Sequence, residues 1–275
     1  MIKFEHSVFA LPFAFTSALI GCKSLPSAYL LGWIIAACVC ARTSAMSFNR
    51  WADARIDAMN PRTAARAIPA GRLGKGFALG FSILSALLFV ICAAMINRLA
   101  FALSPLALVI LLGYSYTKRF TCWSHIVLGL ALGLAPVGAW IAVKGDIAIV
   151  PLLIAAGVLS WTSGFDLIYS CQDYDADVRQ GLFSFPARYG IANALRLSAL
   201  FHFMAVMFFA GTGVMAGMGW LYYCGVFTVA ILLYAEHRIV NPSDLSRIDV
   251  AFFTVNSWVG MVILAFTALD LFTSH

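Results

Sequence analysis

The chain has 275 residues, 62% apolar and only 11% charged, with a net charge of +6 and a mean hydropathy of +0.91. A soluble domain carries about 45–50% apolar and about 25% charged residues, so this composition excludes one, along with a disordered chain and a nucleic-acid-binding module. A spanning helix takes about 20 residues, so a membrane protein of this length has room for roughly eight to ten spans and no sizeable soluble domain.

Apolar runs separated by charged or Gly/Pro breaks predict nine spans, near 8–22, 28–48, 76–96, 100–117, 123–143, 147–169, 193–216, 219–235 and 250–272. The first could pass for a secretory leader, and Leu19-Ile20-Gly21-Cys22 looks like a lipoprotein cleavage box. Glu5 and His6 stand where such a leader is basic, and further spans follow, so it reads as span one. Basic residues cluster at the N-terminus (Lys3) and in alternate loops: Arg50 to Lys75, Lys118-Arg119, Arg179 to Arg196, and Arg238 to Arg247. The opposite loops hold Lys23, Arg98 and Lys144. This asymmetry predicts a cytoplasmic N-terminus and a C-terminus on the other side of a bacterial inner membrane, and it accounts for most of the net charge without nucleic acid. The seven cysteines lie mostly singly in apolar runs, without metal spacing, and read as small packing residues.

Six of the twelve acidic residues crowd into two cytoplasmic segments: Asp53 and Asp57 after span two, and Asp166, Asp173, Asp175 and Asp177 at the end of span six. Asn49, Asp53 and Asp57 recur every four positions, on one face of a helix. Asp166, Tyr169, Asp173 and Asp177 repeat the device, whereas Asp175 points about 160° away and reads as a solvated residue. Like charges at this spacing repel, which makes sense if a cation lies between the carboxylates. The oxygen-only ligand set favours magnesium. Asp166, at the end of an apolar run, is costly to ionise and carries the most weight. Arg62, Arg66, Lys118, Arg119, Arg179 and Arg188 lie in the same loops, and acid faces ringed by guanidinium forks describe a diphosphate site. Individually, each base is also accounted for as a sidedness marker.

These residues resemble the UbiA superfamily of intramembrane prenyltransferases. The motifs read Asn49-Arg50-x-x-Asp53-x-x-x-Asp57 and Asp173-x-x-x-Asp177. The likeness extends through Asn60-Pro-Arg-Thr-Ala-Ala-Arg66, Tyr114-Ser-Tyr-Thr-Lys118-Arg119 and Gly181-Leu-Phe-Ser-Phe-Pro-Ala-Arg188-Tyr-Gly190. The opening Phe4-Glu-His-Ser-Val-Phe-Ala-Leu-Pro12 is most similar to the 4-hydroxybenzoate polyprenyltransferase branch, including menaquinone-pathway relatives. Arg50 departs from members that carry Asp there.

The resemblance implies an all-α membrane fold, nine helices around a central cavity beneath a cytoplasmic helical cap. It also implies two magnesium ions bridging the motifs to a prenyl diphosphate. Asn49, Asp53, Asp57, Asp173 and Asp177 would be the metal ligands, with Asp166 and Tyr169 joining the catalytic group. Arg62, Arg66, Tyr114, Lys118 and Arg119 would bind substrate. The charge pattern suggests a single domain of two four-helix halves, about 1–118 and 119–238, plus a ninth helix. Arg42, inside span two and on the stripe leading to Asn49, either pairs with a neighbouring acid or docks the carboxylate of an aromatic acceptor such as 4-hydroxybenzoate or a dihydroxynaphthoate. Tyr114, Tyr116, Tyr169 and Tyr174 are candidates to face an allylic cation, though tyrosines are also ordinary at membrane interfaces. Other acceptors (haem, homogentisate, chlorophyllide, lipid) and a cation-coupled transporter are the alternatives. A phosphatidyl-alcohol transferase is disfavoured because its Asp-Gly-x-x-Ala-Arg signature is missing.

Overall fold

The computed structural model describes residues 9–242, Leu245, Ile248 and 255–273. Its regular structure is helical: α1 (Leu11–Cys22), α2 (Ala28–Ala52), α3 (Ala54–Met59), α4 (Lys75–Ile96), α5 (Arg98–Thr117), α6 (Ser124–Lys144), α7 (Ile149–Ser170), α8 (Tyr174–Gln180), α9 (Phe185–Tyr189), α10 (Ile191–Ala216), α11 (Trp220–Ile239) and α12 (Asn256–Thr273). The helix starts follow from local chemistry. Ser27 Oγ accepts from Leu30 N at α2, and Asn97 Oδ1 accepts from Ala100 N at α5 while its Nδ2 donates to the Ile141 carbonyl of α6.

Seven of these helices are long and apolar enough to cross a bilayer: α2, α4, α5, α6, α7 with its continuation to Gln180, α10 and α12. The sequence predicts nine. The described part of α1 has 12 residues, about 18 Å, too short for a core of about 30 Å. In α11 the terminal Glu236-His237-Arg238 lies inside the helix and lowers its hydropathy. The predicted Phe4–Pro12 motif and the start of the ninth span fall largely outside the described residues.

Helix α7 is the most enclosed, packed along both α6 and α10. Gly129 and Gly133 let α6 approach it closely, since a Cβ at Gly129 would stand 2.4 Å from the Leu159 carbonyl oxygen and one at Gly133 2.9 Å from that of Ala155. Helices in lipid associate through such small-residue contacts and through interhelical hydrogen bonds. On the other side of α7, Trp161 Nε1 donates to Asn256 Oδ1 of α12 at 2.7 Å, and Asn256 Nδ2 donates to Glu236 Oε1 of α11 at 2.8 Å. Glu236, the residue just past the predicted span 219–235, is therefore fully buried and bonded within the bundle. The outer faces of α4, α5 and α10 expose Leu84, Leu87, Ile91, Val109, Phe203 and Met207, an apolar surface suited to lipid.

At one end of the bundle the connections 53–74, 118–123 and 171–190 are stitched together. Arg119 Nη2 donates to the Ala52 carbonyl at 2.7 Å, and Phe183 N donates to the Lys118 carbonyl at 3.0 Å. Both acidic segments lie in this region.

Candidate active site

The first acidic segment crosses a helix junction without losing register. Although α2 stops at Ala52, Asp53 N bonds the Asn49 carbonyl and Asp57 N the Asp53 carbonyl, at 2.9 and 2.8 Å. In the second segment Asp166 and Tyr169 belong to α7, Asp173 to a 3-10 turn at Cys171–Asp173, and Asp177 to α8.

Basic residues surround these acids. Asp53, 2% exposed, accepts from Lys118 Nζ at 2.8 Å, Arg119 Nη2 at 3.3 Å and Asn49 Nδ2 at 3.0 Å. Asp57, 3% exposed, pairs with Arg66 Nη1 at 2.7 Å and lies 3.9 Å from Arg50 Nη1. Its buried Oδ2 has no hydrogen-bond partner. Arg62 links the two segments, its Nε and Nη2 forking onto Asp173 at 2.8 and 2.5 Å while Nη1 donates to Tyr169 Oη at 2.7 Å. The same guanidinium lies 4.9 Å from the Tyr169 ring centre. Partial burial disfavours the charge on Arg62, but the bonds and charge of Asp173 override it and push its pKa above that of a free guanidinium. Asn60 Nδ2 completes the Asp173 site at 2.8 Å. Asp177 lies within electrostatic reach of Asp173, Lys118 and Arg62, and Asp175 is exposed.

Beneath these pairs a cavity of about 1090 Å³ runs into the bundle. Its polar end carries Arg42, Asn49, Arg50, Arg62, Arg66, Arg72, Tyr114, Asp166 and Tyr169, and its walls are apolar residues such as Phe89, Leu103, Leu106, Leu128 and Leu132. The lining extends from Ile147, just before α7, to Tyr169 near its end, roughly 30 Å along the helix axis. Arg42 makes no ion pair among the described residues, and its Nε is buried without a hydrogen-bond partner.

The structure therefore gathers the predicted residues into two layers. Arg42, Asn49, Arg62, Arg66, Tyr114, Asp166 and Tyr169 line the cavity, whereas Asp53, Asp57, Asp173, Asp177, Lys118 and Arg119 lie outside its lining. Arg179 and Arg188 are exposed and do not line it. Three further residues have roles that the sequence reading did not assign: Arg50 beside Asp57, Asn60 on Asp173, and His125, whose Nδ1 lies 2.6 Å from Asp166 Oδ2. Nothing local could have revealed His125, because its partner is 41 residues away.

Residues 10–258 match the model of the UbiA prenyltransferase family. The chain belongs to that family. It is 30% identical over 248 residues to a mitochondrial 4-hydroxybenzoate polyprenyltransferase of Arabidopsis thaliana, an alignment covering 88% of this chain and 59% of the plant protein. It is 28% identical to a 4-hydroxybenzoate octaprenyltransferase of Photobacterium profundum, over 90% of this chain and 85% of that one. The apo structure of a UbiA homolog from Aeropyrum pernix superposes with a TM-score of 0.89 at 31% identity, covering 98% of this chain and 99% of that one. A UbiA homolog from Archaeoglobus fulgidus, bound to GPP and Mg2+, shares the fold with a TM-score of 0.75 at 19% identity, with 97% of each chain covered.

Among the described residues no three His, Cys, Asp or Glu side chains converge to hold a metal ion. The donor set nevertheless fits a hard cation. It is all oxygen, one buried carboxylate oxygen of Asp57 accepts no hydrogen bond, and magnesium is ordinarily held by one or two carboxylates plus substrate phosphate oxygens.

Proposed function

We propose that this UbiA-family protein transfers a prenyl group from a prenyl diphosphate to the ring of an aromatic acid of the 4-hydroxybenzoate or dihydroxynaphthoate type, in ubiquinone or menaquinone biosynthesis. One observation carries the reading: a cavity about 30 Å long whose walls are apolar and whose end gathers five arginines beside a layer of carboxylates. That polarity matches a molecule with a long hydrocarbon tail and a highly charged head. The names of the curated relatives support the acceptor class.

Asn49, Asp53, Asp57, Asp173 and Asp177 would hold magnesium, two ions in all. Bound there, it would withdraw charge from the diphosphate leaving group. The chain's bases do the rest. Arg62, Arg66, Lys118 and Arg119 each now face a carboxylate, so an arriving diphosphate gives them oxygens to bind in exchange, and little net charge has to move. The C–O bond breaks with its electron pair left on the diphosphate, and the apolar wall keeps water from the allylic carbon. Tyr114 and Tyr169 line that end of the cavity and face the developing cation. Arg42 would dock the acceptor carboxylate so that the carbon next to its hydroxyl attacks. The two sequence halves, about 1–118 and 119–238, enclose this chamber. Nine crossings, a cytoplasmic cap formed by residues 53–74 and 171–190, a cytoplasmic N-terminus and an outward C-terminus in a bacterial inner membrane complete the arrangement.

A chelation experiment tests the reading. Prenyl transfer by purified protein is expected to stop in EDTA, return with magnesium or manganese, and fail to return with zinc, because the ligands are all oxygen. Full transfer in chelator would overturn the metal-assisted route.

A further inference from the structure

Asp166 differs from every other acid at this site. Among the described residues it is the one carboxylate lining the cavity, at an end where five arginines also contribute. Asp53, Asp57 and Asp173 are each held by an arginine, whereas Asp166 is held by a histidine. His125 is 5% exposed, near the start of α6, and its Nδ1 lies 2.6 Å from Asp166 Oδ2. A carboxylate can only accept, so Nδ1 donates its proton to Asp166, and the buried Nε2 has no hydrogen-bond partner. The Gly129 contact fixes α6 against α7 one turn further on, and Ser163 Oγ donates to the His125 carbonyl at 3.1 Å. Asp166 Oδ2 is thereby immobilised, and Oδ1 has no partner among the described residues.

We propose, building on the prenyl-transfer reading above, that Asp166 is the base that completes ring substitution and that His125 is its positioning residue. The ring carbon forms its bond to the allylic carbon as the diphosphate departs with the C–O electron pair. That ring carbon then still carries its hydrogen, and the ring is a cation. Asp166 Oδ1 takes that proton, the C–H electron pair restores the aromatic ring, and the proton passes to water as product leaves. An arginine in the place of His125 would hold a permanent positive charge beside the carboxylate and weaken it as a base. His125 orients the carboxylate with one hydrogen bond.

The test uses the full-length protein in detergent with geranyl diphosphate, magnesium and 4-hydroxybenzoate, either unlabelled or deuterated at the two carbons beside the hydroxyl. The unsubstituted protein is expected to show no primary isotope effect, because loss of the ring proton is fast. Asp166→Asn should lower turnover on the order of a hundredfold and expose a primary isotope effect, with the dissociation constant for geranyl diphosphate and the melting temperature unchanged. His125→Phe should lower kcat roughly tenfold, the size of one charge-assisted hydrogen bond, with the KM of both substrates held, and His125→Gln, which keeps a donor, should recover most of it. Asp166→Asn turning over normally, or slowly with no isotope effect, would overturn the assignment while leaving prenyl transfer intact. No prenylated arene from the unsubstituted protein would overturn the underlying reading as well.

Discussion

Asp57→Ala and Asp173→Ala are each expected to lower prenyl transfer at least about a hundredfold, the usual scale for removing one preorganised group that stabilises a developing charge. Asp57 is buried with one oxygen that accepts no hydrogen bond, and Asp173 is the point at which Arg62 ties the two acidic segments together. Each substitution removes a carboxylate from an end of the bundle already crowded with arginines, so on the proposed reading loss of a metal ligand and excess positive charge act together. Loss of an ion pair could also loosen the connections 53–74 and 171–190, and melting curves in detergent separate the two effects. A site defect leaves the melting temperature close to that of the unsubstituted protein and raises the magnesium concentration needed for half-maximal rate. Near-normal turnover of both variants at saturating magnesium would show that these carboxylates serve only as counter-ions to their arginines.

Arg42 should give the second large effect, confined to one substrate. It lines the cavity, and no acid pairs with it among the described residues. A guanidinium in that setting is suited to a carboxylate brought by a ligand, held through two parallel bonds. Arg42→Ala should raise the KM of the aromatic acid by roughly ten- to a hundredfold, while that of the prenyl diphosphate stays within about threefold, provided dissociation is faster than chemistry. Arg42→Lys keeps the charge but loses the fork, and falls between. A carboxamide analogue of the acceptor should be a poor substrate of the unsubstituted protein and lose little further in Arg42→Ala. If Arg42→Ala instead weakens the diphosphate and spares the acid, Arg42 belongs to the phosphate end.

The membrane character and most helix limits were legible because hydropathy and charge breaks are local properties. The predicted runs at 76–96, 100–117 and 193–216 became α4, α5 and α10 almost unchanged. The four-residue spacing of Asn49, Asp53 and Asp57 was equally legible, since backbone bonds from Asp53 to Asn49 and from Asp57 to Asp53 carry the helical register across the break. Legibility ended where partners come from distant segments. The sequence suggested carboxylates drawn together around a cation, whereas in the fold each of Asp53, Asp57 and Asp173 faces a base, and the pairs Arg62–Asp173, Lys118–Asp53 and Arg119–Asp53 each span more than 60 residues. Similarly, Glu236 looks like a span terminus in sequence, and only its bond to Asn256, on a helix beyond the next connection, shows why it is buried. Arg188 carries the same kind of sequence signal as Arg62 yet lies against Tyr189 rather than on Asp173, because composition does not encode which way a short helix faces.

The most direct test of prenyl transfer to an aromatic acid is mass spectrometry of the products formed when purified protein receives magnesium, prenyl diphosphates of several lengths and a panel of aromatic acids. The predicted result is an acceptor whose mass has gained one prenyl group and lost one hydrogen, with the carboxylate retained, the new bond at the carbon beside the hydroxyl, and one diphosphate released per product. Diphosphate release with no prenylated arene, or prenylation confined to acceptors that lack a carboxylate, would contradict it.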